Sequence, residues 1–216
     1  MATARKWTNV AVAMQSALAT ALTISGITKA NPGVVSYTGT DPSNGDYVYL
    51  SVQGMHQVND RVFRVANVNG AANTFELEGE DTTAFDTFSS GTAQVITFGT
   101  SITTSTKVTP SGGGFDFIDT TTIHGNQRSQ MPGLPNARSY AFTNIWDVSD
   151  TGLKAMKSAS DGQAMRAFKF TFGTGGQIMV FTGYPAADLS PGGEALGLVT
   201  CDTVITVQGS PTYYAS

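Results

Sequence analysis

Residues 167–184 read AFKFTFGTGGQIMVFTGY, and the fold class turns on this stretch. Phe168, Phe170 and Phe172 recur at every second position, the period of a pleated strand rather than of a helix. Gly173-Thr174-Gly175-Gly176 then supplies residues that reverse the chain cheaply, and Gln177 to Tyr184 reads as the returning strand. A lone hairpin is at best marginally stable, so other strands must cover its apolar face. The surrounding sequence offers them in Phe115 to His124, Ser139 to Val148, Ala164 to Phe172 and Leu198 to Gln208, the last continuing toward Tyr213 and Tyr214. Lys6 to Met14 adds a strand near the start, with Thr8, Val10, Val12 and Met14 on one face.

Upstream the texture changes. Thr23–Thr28, Val34–Thr38, Asp46–Val52, Arg61–Val68, Asn73–Glu78 and Thr92–Thr97 read as six brief strands. Asn44-Gly45 and Asn69-Gly70 mark tight turns between them, because both residue types tolerate positive φ. The sequence therefore predicts an inserted small β-module over residues 21–97, and a discontinuous larger β domain from 1–20 and 98–216. Pro110-Ser111-Gly112-Gly113-Gly114 reads as a flexible joint. One short helix is expected after Ser149 or Asp150, either of which can cap it. Leu153 and Met156 share its apolar face, and Gly162 offers a left-handed stop. The expected fold class is all-β with minor α.

Charged residues make up 13% of the 216 residues, well below the ~25% usual in soluble domains. Much of the surface must then be solvated by Thr, Ser, Asn and Gln, or covered by partners. The net charge of −4 and a pI of about 5.0 argue against a groove that grips phosphates, since no basic cluster exceeds Arg5-Lys6. Cys201 is the single cysteine, so no internal disulfide forms. No run approaches the ~18 apolar residues of a membrane span. Arg5-Lys6 before Val10–Leu22 imitates a signal peptide, but Gln15, Ser16 and Thr20 interrupt the apolar stretch and no clean cleavage site follows.

Catalytic strings are few and each has a plainer reading. Asp150-Thr151-Gly152 matches the aspartic-protease triplet, yet that chemistry needs a second Asp sharing the proton, and helix capping explains the same residues. His56 and His124 have no companion at metal-ligand spacing. Glu76 and Glu78 share a strand face, as glycosidase acids can, but exposed charge is the commoner meaning. Gly173–Gly176 is followed by a strand and no Lys-Ser/Thr, so it is not a phosphate cradle. Ser111 has no triad partners nearby, and Cys201 alternates with Val199 and Thr203 as a buried strand residue. The expectation is a non-enzyme without cofactor or metal.

From Phe115 onward the chain resembles the major tail tube proteins of long-tailed, non-contractile phages (siphophages). The features that carry the resemblance come in order: FDFIDTTT (115–122), MPGLPNAR (131–138), YAFTNIW (140–146), SDTGLKAM (149–156), the hairpin at 167–184, and VTCDTVITVQGSPTYY (199–214). ARKWTNVAVAM (4–14) resembles the opening strand of such proteins, and 21–97 resembles small β-modules found inside several phage structural proteins. The resemblance implies a β-sandwich or split-barrel subunit whose long hairpins join those of its neighbours into a hexameric ring barrel. The rings stack as a virion tail tube, made in the host bacterial cytoplasm and serving DNA ejection. The implied partners are further copies of the chain, a tape measure protein, other tail proteins and double-stranded DNA in transit, with no membrane.

Within that picture, strand alternation nominates Thr200, Asp202, Thr206 and Gln208 as lumen-facing, with Asp116 and Asp119 adding negative charge at the wall or rim. The stretch Gly125–Pro135 reads as a long loop held by two prolines. Asn126, Arg128, Met131, Pro132, Leu134, Pro135 and Arg138 are therefore expected at contacts between rings or subunits. Its removal (126–135) should leave a folded chain that does not polymerise. Competing readings are another tube-fold component, such as a tail terminator or the tube of a contractile tail or tail-like bacteriocin, and a secreted β-sandwich binding module. The last would want an exposed aromatic platform, whereas Trp7 and Trp146 are expected inside strands.

Overall fold

The computed structural model describes residues 7–173 and 176–215. The chain enters through β1 (Val10–Met14) and leaves for a second unit made of β2 (Ala17–Leu18), β3 (Leu22–Ile27), β4 (Val34–Thr38), β5 (Tyr47–Gln53), β6 (Arg61–Asn69), β7 (Thr74–Leu77) and β8 (Ser90–Thr97). It returns as β9 (Thr100–Ile102) and β10 (Ser105–Ser111), then projects a hairpin, β11 (Phe115–Asp119) and β12 (Gln130–Pro135). There follow β13 (Ser139–Ile145), α1 (Thr151–Asp161), β14 (Arg166–Phe172), β15 (Ile178–Ala186) and β16 (Thr200–Tyr214).

The larger sheet runs β10-β13-β16-β15-β14-β1-β9. Its two end strands are joined by Thr103 and Thr104 alone, so the sheet curls almost back onto itself as a split barrel. The alternation seen in 167–184 decides which side is inside. Phe168 and Phe170 are fully buried and stack against Phe181, with centroids 5.6 and 5.8 Å apart, and Phe142 lies 5.9 Å from Phe170. Each such aromatic pair adds roughly 0.5–1.5 kcal/mol beyond its buried area. Leu153 and Met156 of α1 close this core from one side.

The smaller unit is a barrel closed on itself. β3, β4, β7, β6 and β5 follow one another, and β8 pairs with both β3 and β5. Closure removes free edges, which suits strands this short. Tyr37, Leu50, Phe63 and Phe75 fill it. This barrel is clamped onto the outward face of β14–β15–β16. Tyr47, Val62 and Ile96 pack with Ala167, Val180 and Tyr214. The Thr182 and Thr212 hydroxyls donate to the Asp60 and Val62 carbonyls at 2.6 and 2.7 Å, and the Arg64 amide donates to the Tyr214 hydroxyl at 2.8 Å. The Arg64 guanidinium lies 4.7 Å above the Tyr214 ring and is ion-paired with Glu78.

Several local expectations change. Phe115–His124 is not a strand of the main sheet: only Phe115–Asp119 is extended, and it pairs with Gln130–Pro135 outside both barrels. The segment 125–135 is thus half strand, because X-Pro steps favour extended backbone and this two-stranded ribbon tolerates the missing N–H groups. The Pro110–Gly114 joint is half strand as well, with Pro110 and Ser111 paired to Tyr140 and Ser139. Gly162 has φ −84°, and Gln163 (φ 47°) makes the left-handed turn instead. Trp7 and Trp146 flank strands rather than lie inside them, and both are partly exposed. Arg5-Lys6, and Thr174-Gly175 of the hairpin turn, lie outside the described residues.

Candidate assembly surface

On β16, Cys201, Thr203, Ile205 and Val207 point into the core, whereas Thr200, Asp202, Val204, Thr206 and Gln208 point outward. Strand register extends that outward face sideways: Asp202 lies beside Thr143 and Thr143 beside Lys107, while Thr206 lies beside Ser139 and Ser139 beside Ser111. The result is a shallow wall of hydroxyls and small side chains whose charged members are Lys107 and Asp202. Gly209 (φ 63°) permits a bulge, beyond which Thr212 and Tyr214 keep the same outward side but are covered by the smaller barrel. One end of the sheet face is therefore occupied and the other open.

The open part ends at β10, whose outer edge pairs with no strand among the described residues. Where the split barrel fails to close, a cleft of about 430 Å³ lies between β1 and β10, lined by Trp7, Val10, Val12, Ser105 and Val108.

The β11–β12 hairpin leaves from the end of β10. Gly112 sets its departure: φ is +78°, and a Cβ there would fall 2.0 Å from the Ala137 carbonyl oxygen, so only glycine fits. Asp116, Asp119, Met131, Pro132, Leu134 and Pro135 lie exposed on the hairpin strands, Asn126 and Arg128 sit in the loop at its tip, and Arg138 stands at its base. Asp116 accepts from the Asn136 amide at 3.1 Å, and Asp119 stands 3.7 Å from Arg128. The Thr121 hydroxyl, then its amide, holds the Asp119 carboxyl below the usual range. Asp116 and Asp119 thus lie on the projecting hairpin, apart from Thr200, Asp202, Thr206 and Gln208 on the sheet.

The catalytic temptations resolve as architecture. Asp150 Oδ1 accepts from the Leu153 amide at 2.7 Å and is the N-cap of α1. Glu78 is taken up by Arg64, and Glu76 accepts from Asn67 at 2.7 Å. Cys201 is buried, and burial pushes its thiol pKa up, so it is a poor nucleophile. No described helix is long and apolar enough to cross a membrane.

The sequence reading missed Lys107, Thr109, Ser111, Ser139 and Thr143, half of the open face. Their signal was present: in STKVTPS (105–111) Lys107 and Thr109 flank Val108, the strand residue that faces the core. A search of the curated proteins finds no match. Residues 53–216 match the family model described as phage tail tube protein, and that stretch includes β6–β8 of the smaller barrel and all of β9–β16. With well over half of its length matched, and an all-β fold to go with it, this chain belongs to the phage tail tube protein family, whose members are structural components of the virion tail.

Proposed function

We propose that the chain is the repeating subunit of a siphophage tail tube, closing into six-membered rings that stack around a channel for ejected DNA. The observation that carries this reading is the half-open larger sheet: a polar face bounded by the outer edge of β10, which pairs with no strand among the described residues. Such an edge is a template for another strand, and pairing it with a neighbouring copy completes a circular wall that a single chain leaves split. The face it would carry suits passage of a polyanion. Thr200, Thr206, Gln208, Ser139 and Thr143 offer no cation to grip a phosphate, and Asp202 repels it, offsetting Lys107.

In this arrangement the smaller barrel covers the same sheet face beyond Gly209 and leaves the polar stretch from Thr200 to Gln208 open. The hairpin with Asn126, Arg128, Met131, Pro132, Leu134, Pro135 and Arg138 reaches toward the neighbouring ring. A tape measure protein would fill the channel before DNA does, and synthesis would take place in the host cytoplasm.

The test is direct. Purified protein at high concentration should form hollow filaments or annuli in negative stain. A variant in which residues 115–135 are replaced by a short Gly-Ser linker should remain folded and stop at isolated rings or monomers. Long tubes from that variant, or a wild-type chain that stays monomeric, would overturn the assignment.

A further inference from the structure

The chain contains two Asn-Gly steps, Asn44-Gly45 and Asn69-Gly70, both at exposed positions of the smaller barrel. The dipeptide is the same, so any difference in its chemistry comes from the fold. In such a step the glycine nitrogen can attack the asparagine side-chain amide, because no Cβ blocks the approach. The reaction needs a nitrogen that is not tied up, a polarised side-chain carbonyl, and the two held close together.

A backbone N–H polarises the asparagine carbonyl at both sites; what differs is where it holds the side chain and what the glycine nitrogen is doing. At the first site the Gly45 amide donates to the Val65 carbonyl at 2.8 Å, and Asn44 Oδ1 accepts from the Val68 amide at 2.9 Å. Nucleophile and target are each tied across to β6. At the second site the Gly70 amide donates to no acceptor among the described residues. The Ala72 amide donates both to the Asn69 backbone carbonyl at 3.2 Å and to Asn69 Oδ1 at 3.1 Å. One donor shared by the two oxygens folds the side-chain amide over the C-terminal side of its own residue, where the Gly70 nitrogen lies. The same N–H stabilises the charge that Oδ1 gains as the new bond forms.

We propose that Asn69 is a self-modification site, converted through a cyclic imide to aspartate or isoaspartate, while Asn44 is protected. The Gly70 nitrogen bonds to Asn69 Cγ, the Cγ–Nδ2 bond breaks, and the proton lost from the Gly70 amide leaves with Nδ2 as ammonia. Water then opens the imide at either carbonyl. No cofactor or oxidant is consumed. Both products add a negative charge to a chain whose net charge is −4. That charge arises next to Gly70, against which the Asp41 carboxylate already lies, with Asp41 Oδ1 accepting from the Tyr37 hydroxyl at 2.9 Å. Like charges brought together repel. Isoaspartate also adds a methylene to the main chain where Asn69 pairs with Thr74, just past the bulge in the β6–β7 ladder. The change is irreversible, so a virion component accumulates it with age.

Peptide mapping by mass spectrometry tests this on the full chain, incubated in mildly alkaline buffer and sampled over days. In the folded chain, conversion at Asn69 should run on the order of tenfold or more ahead of Asn44. In urea, where only the dipeptide matters, the two rates should converge. Equal rates in the folded chain, or faster conversion at Asn44, would overturn the assignment. So would a folded chain in which neither asparagine reacts while the unfolded chain converts both. Isoelectric focusing gives a second readout: Asn69→Gln should lose the acidic form that accumulates in the wild type, and Asn44→Gln should keep it. An acidic form that persists undiminished in N69Q would sink the proposal. None of these rates depends on ring formation, so the outcome is independent of the tube reading.

Discussion

At the scale of single residues, one device recurs. Asp81, Asp119, Asp147 and Asp188 each have a Thr or Ser two positions on, and each carboxylate accepts from that residue. All four carboxyls are held below the usual range. For Asp81 and Asp147, as for Asp119, the side-chain hydroxyl is the main cause, while for Asp188 the Ser190 amide comes first. A depressed carboxylate pKa means the turn is fully supported above the unfolded pKa and loses that support as pH falls through the lower folded value. Asp119 closes the hairpin tip, so the Thr121→Val variant, which keeps the amide but not the hydroxyl, should move the Asp119 titration back up toward the unfolded value. Carbon-detected carboxyl shifts measure this. An Asp119 that titrates identically in both proteins would contradict the assignment.

Among the elements, α1 is the one whose reasons are most local. Its only strong start signal is Asp150, and it packs on the core through Leu153 and Met156. Asp150→Ala should therefore cost about 1 kcal/mol, or roughly 2–4 °C in melting temperature for a chain of this size. Asp150→Ser, which keeps a capping oxygen, should restore most of it, and assembly into tubes should be unchanged in both. The β11–β12 hairpin is the opposite case. None of its residues enters a core cluster, so its conformation is set by its own ladder and by the Gly112 departure. It leaves Phe117, Ile118 and Leu134 exposed, the kind of apolar surface that marks a contact site.

For the whole molecule, the two barrels share a third apolar cluster and are crossed by hydrogen bonds from Thr182, Thr212 and Arg64. Lys169 strengthens the junction from the larger sheet, its ammonium 5.2 and 5.0 Å from the Tyr47 and Phe98 rings, where burial pulls its pKa down. Such a junction couples unfolding of the two units, so calorimetry should record a single transition. Tyr214→Ala, which removes the ring under Arg64 and the acceptor for its amide, should lower stability by about 3–5 kcal/mol and split that transition in two. A wild-type chain that already melts in two steps would refute the coupling.

Alternation and turn chemistry were enough to read most strands. Val34–Thr38 coincides with β4, the Phe168/Phe170 face is the buried one, and Thr200, Asp202, Thr206 and Gln208 share the outward face because a strand's period is two whatever it packs against. The cap at Asp150 was legible for the same reason, since its hydrogen bond spans three residues. What local sequence does not encode is which strands pair across long separations. FDFID has the same apolar texture as a core strand, and only the tertiary arrangement puts it on a projecting ribbon with residues 130–135. STKVTPS looks like a linker until β13 is laid beside it and makes it the open edge. The side of β16 that is covered beyond Gly209 and bare before it was likewise decided by where the smaller barrel docks, a contact between residues about 150 positions apart.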